Sequence, residues 1–289
     1  MPVLAVVNQK GGVGKTTVVL GLAAAAARRG DRVVVVDVDP QANATSGMAV
    51  WSPARTIDDA LAVESPGAAV PLVIPCGWDP ELFVSVPRLV PSSPQLAQRE
   101  PQLATDPIGA QDRLRVALEG IDADLVLIDC PPSLGLLTVN ALFAADAVVV
   151  VTEPAAWAVD GVGQILRNVT RIAARRGGPP EVAGIVVNRL ARTRDSRYWD
   201  AQLVEAHPGQ IVRPPIRLRA AVAEASAQSL PLCALDRDGV AEATAEFDEV
   251  LAALVGPRRE LAMAGAPEVA LTHPTPGVSP QHWGTDGRV

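Results

Sequence analysis

The chain has 289 residues, of which 48% are hydrophobic and 20% charged, and its formal net charge is −7. This composition is typical of a globular protein that fills a hydrophobic core, and it excludes a chain that is disordered throughout. No run approaches the roughly 18 apolar residues of a transmembrane helix, and the apolar start at Val3–Val7 is too short for a secretory signal. Three widely spaced cysteines, Cys76, Cys130 and Cys233, favour a reducing cytoplasm over a disulfide framework.

Short apolar runs alternate with segments of helical periodicity along the chain. Strands are expected at Val3–Asn8, Arg32–Asp37, Leu125–Asp129, Ala147–Thr152 and Val182–Asn188, with weaker ones near Leu72–Ile74 and Gln210–Val212. Helices are expected at Lys15–Arg29, Ile57–Ala62, Gln111–Glu119, Leu136–Ala144, Val159–Arg175, Tyr198–Ala206, Leu218–Ser226 and Gly239–Leu254. Most of the strands are apolar throughout, which is typical of parallel strands covered on both faces.

The alternation of strand and helix predicts an α/β fold, a mostly parallel sheet flanked by helices on both faces. No internal repeat or interdomain linker is visible, so residues 1–256 are predicted to form a single domain. After Gly256 the composition shifts to proline, glycine, threonine and histidine without periodicity. Residues 257–289 are therefore predicted to be a disordered tail.

A glycine-rich segment, Lys10–Thr17, joins the first expected strand to the first expected helix. Its glycines let backbone N–H groups turn toward phosphate oxygens, and the helix N-terminus adds its positive dipole. In this P-loop, Lys15 would reach the β- and γ-phosphates of ATP, Thr16 would bind Mg²⁺ and Thr17 would contact the α-phosphate. The residues predicted to bind the nucleotide here are Lys10, Gly11, Gly12, Val13, Gly14, Lys15, Thr16 and Thr17.

The only two lysines of the chain, Lys10 and Lys15, lie in this loop, although the chain has 25 basic residues. A compact ammonium fits beside a phosphate where a planar guanidinium does not, so both lysines are predicted to have roles that arginine cannot fill. Lys10 precedes Gly11, as in the deviant P-loop pattern KGGxGK[ST]. It cannot easily reach its own γ-phosphate, and we predict that it acts on the nucleotide of a facing subunit in an ATP-sandwich homodimer.

Three aspartates follow expected strands. Asp37 and Asp39 end the second strand, and Asp129 ends the strand that begins at Leu125. Carboxyl ends of parallel strands meet at one edge of the sheet, where the P-loop also lies. Asp129 is predicted to hold Mg²⁺ through a water, Asp37 to support the metal shell and Asp39 to orient or polarise the attacking water. The predicted catalytic residues are thus Lys10, Lys15 and Asp39, and the predicted metal site is Thr16, Asp37, Asp39 and Asp129.

These motifs resemble those of the ParA/Soj-type partitioning ATPases of the MinD/ParA superfamily. The matching stretches are AVVNQKGGVGKTT, VVVVDVDPQANAT, LVPSSPQLAQRE, LVLIDCPPSLGLLTVNAL and the AEAS segment near Glu224, and together they span about residues 3 to 230. The resemblance implies a P-loop NTPase fold and Mg²⁺-dependent ATP hydrolysis. It also implies that Pro131–Leu134 senses the γ-phosphate and that Asn188 lies near the adenine.

The same resemblance implies a homodimer that forms on ATP binding, binds DNA without sequence preference and is stimulated by a ParB-type activator. Such a protein would segregate chromosome or plasmid DNA and would be cytoplasmic and nucleoid-associated. The sequence adds a local basic patch, because seven arginines and only three carboxylates lie between Arg189 and Arg219. The patch can bind phosphates by counterion release, or it can be a solvated, salt-bridged face. The predicted DNA-binding residues are Arg189, Arg192, Arg194, Arg213, Arg217 and Arg219.

The alternative function is that of a MinD-like ATPase, which positions a non-DNA cargo or a membrane-associated complex. A membrane ATPase of this kind needs a basic amphipathic C-terminal helix, and the proline-rich end of the chain predicts none. An iron–sulfur relative would need paired cysteines, but neither Cys76 nor Cys233 forms a CxxC with Cys130. We therefore expect no membrane partner and no iron–sulfur cluster.

Overall fold

The protein is described by a computed structural model that covers residues 1–106 and 108–256. Its strands are β1 (Val3–Val7), β2 (Val33–Asp37), β3 (Ile74–Pro75), β4 (Arg88–Val90), β5 (Leu125–Asp129), β6 (Ala147–Thr152), β7 (Glu181–Val187) and β8 (Ile211–Val212). Its helices are α1 (Lys15–Arg29), α2 (Asn43–Gly47), α3 (Ile57–Ala62), α4 (Leu96–Leu103), α5 (Arg113–Ala117), α6 (Leu136–Ala144), α7 (Ala158–Arg176), α8 (Arg194–Ala206), α9 (Ala220–Gln228) and α10 (Val240–Val255). The strands form one sheet in the order β3-β4-β2-β5-β1-β6-β7-β8.

The sheet is parallel except at one edge, where β3 pairs with β4 in the antiparallel sense. The prediction of a mostly parallel α/β sheet is therefore confirmed. The register places Asp37 of β2 directly opposite Asp129 of β5. Both carboxylates thus reach the same edge of the sheet, as expected from the shared polarity of parallel strands.

Two hydrophobic cores lie on the two faces of the sheet, because successive side chains of a strand point to opposite faces. Val34 and Val36 belong to the core that is covered by α3, α5, α6 and α7. Val33 and Val35 belong to the core that is covered by α1, α9 and α10. All four valines are fully buried, which explains why β2 is apolar throughout rather than alternating.

Helix α1 lies close to its neighbours because alanines make up much of its buried face. Ala23–Ala27 are at most 2% exposed, and alanine also has the best intrinsic helix propensity. At Gly21 a Cβ atom would lie 2.3 Å from the ring of Phe247, so the glycine lets α10 pack directly on α1. The helix ends in a glycine C-cap, since Gly30 has φ +91° and its N–H donates to the carbonyls of Ala26 and Ala27.

Several short elements escaped prediction. Strand β4 has three residues between two prolines, and α4 contains Pro101, so neither has a clear periodic pattern. The helix expected from Tyr198 begins at Arg194 instead, because Thr193 caps it by accepting a hydrogen bond from the Ser196 N–H. Strand β4 and helix α4 depend mainly on tertiary contacts, which local patterns do not record.

The tail predicted at 257–289 lies outside the described residues, and its predicted disorder stays a prediction. Among residues 1–106 and 108–256, no helix is both long and apolar enough to cross a membrane.

Candidate nucleotide-binding site

The P-loop connects β1 to α1 at the carboxyl edge of the sheet. Gly12 and Gly14 have φ of +80° and +87°, the left-handed region in which glycine is favoured. Gly14 is also tightly enclosed, because a Cβ atom there would lie 2.2 Å from the Asn188 side-chain nitrogen. That amide donates a 2.8 Å hydrogen bond to the Val13 carbonyl. Asn188, predicted near the adenine, thus holds the P-loop from the end of β7.

Gly14→Ala is expected to lose most nucleotide binding, measured with a fluorescent ATP analogue. The left-handed backbone costs alanine roughly 1–2 kcal/mol, and its methyl group would displace the Asn188 amide that braces the loop. Gly161→Ala is the matched control, because a Cβ at this glycine of α7 has no neighbour within 4 Å. It should bind nucleotide normally, whereas equal binding by the two variants would contradict the tight fit at Gly14.

A cavity of about 300 Å³ lies over the P-loop. Its walls come from the P-loop, from the segment after β2, from the segment after β5 and from the segment after β7. The lining residues are Gly11, Gly12, Gly14, Lys15, Thr16, Asp39, Gln41, Asn43, Pro132 and Arg189. The fold therefore brings together the predicted phosphate loop, the predicted catalytic aspartate and Pro132 of the predicted switch.

Lys15 lies at the base of this cavity and is only 7% exposed. Burial lowers the pKa of its ammonium, while the nearby Asp129 and Asp39 carboxylates oppose that shift. A buried positive charge that donates to phosphate oxygens is the role expected of the P-loop lysine. The position of Lys15 therefore fits the predicted contact with the β- and γ-phosphates.

Asp129 is fully buried beside the P-loop helix. Its Oδ2 accepts a 2.7 Å hydrogen bond from the Thr16 hydroxyl, whereas its Oδ1 has no hydrogen-bond partner among the described residues. Burial and the neighbouring Asp37 carboxylate raise the pKa of Asp129 well above its usual range. A buried, unsatisfied carboxylate oxygen is costly unless a cation or a proton balances it.

Asp37 and Asp39 have different partners. Asp37 accepts hydrogen bonds from the backbone N–H and the hydroxyl of Thr45, at 2.8 and 2.7 Å, and from the Asp39 N–H at 3.1 Å. Asp39 is 6% exposed, lines the cavity and accepts a 2.9 Å hydrogen bond from the Gln41 N–H. Asp37 therefore organises the turn that carries Asp39, whereas Asp39 faces the space in which a reaction would occur.

Burial raises the pKa of Asp37 to about 6, which predicts an unusual dependence of stability on pH. Between pH 4 and 6 the Asp37 carboxyl is protonated in the native state but ionised in the unfolded state, where its pKa is about 3.9. The contribution of Asp37 to the free energy of unfolding therefore falls as the pH rises from about 4 to 6. Asp37→Asn removes that contribution. The free energy of unfolding is measured by urea denaturation, with EDTA present to remove metal ions. The value for the variant minus that for the original protein should increase as the pH rises from about 4 to 6. A difference that does not change with pH would contradict the raised pKa.

A serine in the segment after β4 links the acidic turn to the sheet. The Ser92 hydroxyl donates a 2.8 Å hydrogen bond to the Asp39 carbonyl, and the Ser92 N–H donates a 2.9 Å hydrogen bond to the Thr45 hydroxyl. Sequence reasoning missed Ser92 and Thr45 as site residues, although both lie in the quoted stretches LVPSSPQLAQRE and VVVVDVDPQANAT. The sequence contains both stretches, but only the fold shows that Ser92 and Thr45 lie within hydrogen-bonding distance of each other.

A second cavity, of about 520 Å³, adjoins the first and shares Arg189 with it. It is lined by Thr17, Glu153, Asn188, Arg189, Arg217, Leu218, Arg219, Val222, Ala223 and Ser226. The segment that carries Arg217 and Arg219 is held in place by Glu246 of α10, which is only 8% exposed. The Glu246 carboxylate accepts hydrogen bonds from the Arg217 N–H and from the Arg219 guanidinium. Glu246 was not predicted, because 27 residues separate it from Arg219.

Lys10 lies at the rim of the site with its side chain 59% exposed. Its Nζ forms a 2.7 Å ion pair with Glu153, the residue that follows β6. The structure describes a single chain, so the predicted contact of Lys10 with a facing subunit stays a prediction. Glu153 also escaped prediction, although the rule that found Asp129, an acid at the end of a strand, would have found it.

The six predicted DNA-binding arginines are not equivalent. Arg189 donates to the Gly12 carbonyl inside the nucleotide cavity. Arg213 pairs with Asp200, and both Arg217 and Arg219 pair with Glu246. The remaining two, Arg192 and Arg194, are exposed. The role of all six in DNA binding stays a prediction.

Fold and site together define a P-loop nucleotide-binding protein of the α/β class. A family model described as an AAA domain matches residues 1–177. The chromosome partitioning protein ParA of Caulobacter vibrioides is 38% identical over 218 residues, 73% of this chain and 78% of that protein. The chromosome-partitioning ATPase Soj of Thermus thermophilus is 40% identical over 210 residues, 72% of this chain and 78% of that protein. The chain belongs to the ParA/Soj family of partitioning ATPases.

Solved structures agree with this fold. A Cyanothece McdA variant in complex with ATP superimposes with a TM-score of 0.76 at 23% identity, covering 88% of this chain and 96% of that one. A structure titled cobyrinic acid a,c-diamide synthase from Mycobacterium smegmatis, with bound ADP and magnesium, gives a TM-score of 0.67 at 32% identity, covering 79% and 91%. The P-loop NTPase fold expected from the sequence is confirmed.

Proposed function

We propose that this protein is a Mg²⁺-dependent ATPase that forms an ATP-sandwich homodimer, binds DNA without sequence preference and is stimulated by a ParB-type activator to segregate chromosome or plasmid DNA. The observation that carries the proposal is the cavity over the P-loop, which Lys15, Thr16 and Asp39 line. The buried Asp129 carboxylate lies behind it, beside Thr16 and near the Lys15 ammonium. We propose a cytoplasmic, nucleoid-associated location, because the DNA that it would bind lies there.

The proposed nucleotide spans the two adjoining cavities. The phosphates would lie over Gly11–Thr16, and the nucleoside would occupy the larger cavity beside Asn188. The positions of two threonines support this orientation of the nucleotide. Thr16, the proposed magnesium ligand, lines the first cavity, and Thr17, the proposed α-phosphate contact, lines the second. Together the cavities measure several hundred cubic ångströms, the usual size of a small-molecule site.

A magnesium ion fits the residues beside Thr16. The unpartnered Oδ1 of Asp129 offers a buried negative charge, and the Thr16 hydroxyl lies next to it. No group of three or more His, Cys, Asp or Glu side chains in the described part of the chain could hold a metal by itself. Magnesium does not require such a cage, since it commonly takes one or two protein ligands together with phosphate oxygens and waters. When bound, it would neutralise charge on the phosphates.

The deciding experiment measures ATP hydrolysis by the purified protein alone, with duplex DNA, and with both DNA and the candidate ParB-type partner. We expect slow basal hydrolysis that requires Mg²⁺ and is stimulated by the partner, together with DNA binding that increases when ATP is added. DNA binding that is unaffected by ATP would contradict the proposal. Co-sedimentation with lipid vesicles in the presence of ATP would favour the MinD-like alternative instead.

A further inference from the structure

Most arginines in the described part of the chain have an acceptor. Carboxylates or carbonyls engage Arg28, Arg29, Arg32, Arg88, Arg99, Arg113, Arg115, Arg176, Arg189, Arg213, Arg217, Arg219 and Arg237. Within residues 1–106 and 108–256, the arginines without such a partner are Arg55, Arg167, Arg171, Arg175, Arg192, Arg194 and Arg197. Apart from Arg55, these arginines lie on α7, at the start of α8 or, for Arg192, just before α8. Helices α7 and α8 pack against each other.

Three of these arginines, Arg167, Arg171 and Arg175, form what we call the α7 stripe. They are four residues apart, so they lie along one side of the helix, and all three are exposed. At a rise of about 1.5 Å per residue the stripe is about 12 Å long. No aspartate or glutamate occurs from Gly161 to Pro180. Like charges at this spacing repel one another along a helix, and an anion bound along the stripe would relieve that repulsion.

The side chains around the α7 stripe indicate which kind of anion would bind it. The exposed large hydrophobic side chains of the described residues include none from position 161 to 180, so the α7 stripe itself lacks the apolar anchor at the centre of protein–protein interfaces. On α8, the exposed Tyr198 follows Arg197. The neighbours of the stripe on the exposed side are Gln164 and Thr170. Arginine, glutamine and threonine are side chains that contact DNA phosphates, and surfaces that bind DNA are polar and strongly positive.

We propose that the α7 stripe, with the exposed Arg192, Arg194 and Arg197 beside it, is the surface of this protein that contacts the phosphate backbone of duplex DNA. The inference rests on the proposed DNA-binding function and assigns its location. The guanidiniums of the loop from Arg213 to Arg219 pair with Asp200 and Glu246, so they would have to exchange these carboxylates for phosphates in order to contribute. Binding through phosphates alone carries no base sequence information, in keeping with non-specific binding.

The test compares DNA binding by the original protein with that by the triple variant Arg167→Gln, Arg171→Gln and Arg175→Gln. Binding of a short fluorescent duplex is measured with Mg²⁺ and a non-hydrolysable ATP analogue between about 50 and 200 mM salt. The logarithm of affinity falls with the logarithm of salt by about 0.9 for each phosphate contact. The variant should therefore bind at least about tenfold more weakly, with a slope shallower by about 2.7 for each subunit that contacts DNA.

Two further variants serve as controls. Arg28→Gln, Arg115→Gln and Arg237→Gln together change the net charge equally but remove paired arginines, so they should preserve the affinity and the slope. Replacing the stripe with three lysines should restore most of the binding, since lysine also contacts phosphates. Basal ATP hydrolysis and ATP-dependent dimerisation, measured by light scattering, should be unchanged in the stripe variant.

The possible outcomes are distinct. If the stripe variant keeps the original affinity and slope, or if the charge-matched control loses as much, the assignment to α7 is overturned while DNA binding itself stands. If the original protein does not bind duplex in the presence of nucleotide, the proposed function fails and the inference fails with it. If the original protein binds poly-glutamate more tightly than duplex, the stripe belongs to an acidic protein partner and the DNA assignment is overturned.

Discussion

Asp39→Ala should give a protein that binds ATP and dimerises but hydrolyses ATP about 10²–10⁴-fold more slowly, the usual effect of losing a group that handles a proton in the transition state. The reason lies in the different environments of the two aspartates after β2. Asp37 is occupied by Thr45 and by the Asp39 backbone. Asp39 reaches the cavity over the P-loop, where a water attacking the γ-phosphate would lie.

The measurement separates turnover from assembly. Light scattering in saturating ATP should show a dimer of the Asp39 variant, and single-turnover assays should show intact nucleotide retained in it. Asp79→Ala is the matched control, because Asp79 is an exposed aspartate that caps the short turn at Pro80–Leu82. It should hydrolyse ATP at the original rate. An Asp39 variant that stays monomeric in saturating ATP would contradict the role assigned to Asp39.

Lys10→Ala should abolish ATP-dependent dimerisation and the turnover linked to it. The expected loss is on the order of 10³-fold or more, by analogy with the removal of a cation supplied by a partner to a transferring phosphoryl group. In the single chain, Glu153 holds the Lys10 ammonium in an ion pair at 2.7 Å. Lys10 must leave Glu153 to reach the nucleotide of a facing subunit. Dimer formation would therefore replace the Glu153 carboxylate with a phosphate as the partner of the Lys10 ammonium.

Two companion variants refine this prediction. Glu153→Gln removes the competing carboxylate, so dimerisation should require less ATP than in the original protein. Lys10→Arg keeps the charge but replaces a compact ammonium with a planar guanidinium, and it should remain defective. Analytical ultracentrifugation across an ATP titration measures both effects. A Lys10→Ala protein that dimerises normally would exclude action across the interface, whereas Lys15→Ala should instead lose nucleotide binding.

The predicted elements and the observed ones agree best where a segment is long or strongly apolar, or where a capping box marks its start, as in the six-residue α3. Helices α1, α3 and α6 have the predicted bounds, and the five main strands are all present. Strand β4 and helix α4 were missed because β4 has three residues and α4 contains a proline. Their positions depend on neighbours in the sheet and on other helices rather than on their own residues.

The sequence by itself determined the phosphate loop, the three aspartates at strand ends and the parallel character of the sheet, because each depends on a few adjacent residues with strong conformational preferences. Only the tertiary structure decided which charges are paired. The guanidinium of Arg219 contacts Glu246, the ammonium of Lys10 contacts Glu153, and the α7 stripe contacts no carboxylate among residues 1–106 and 108–256. Charge interactions act between groups that are close in space, and the chain separations of 27 and 143 residues in those two pairs leave no local signal.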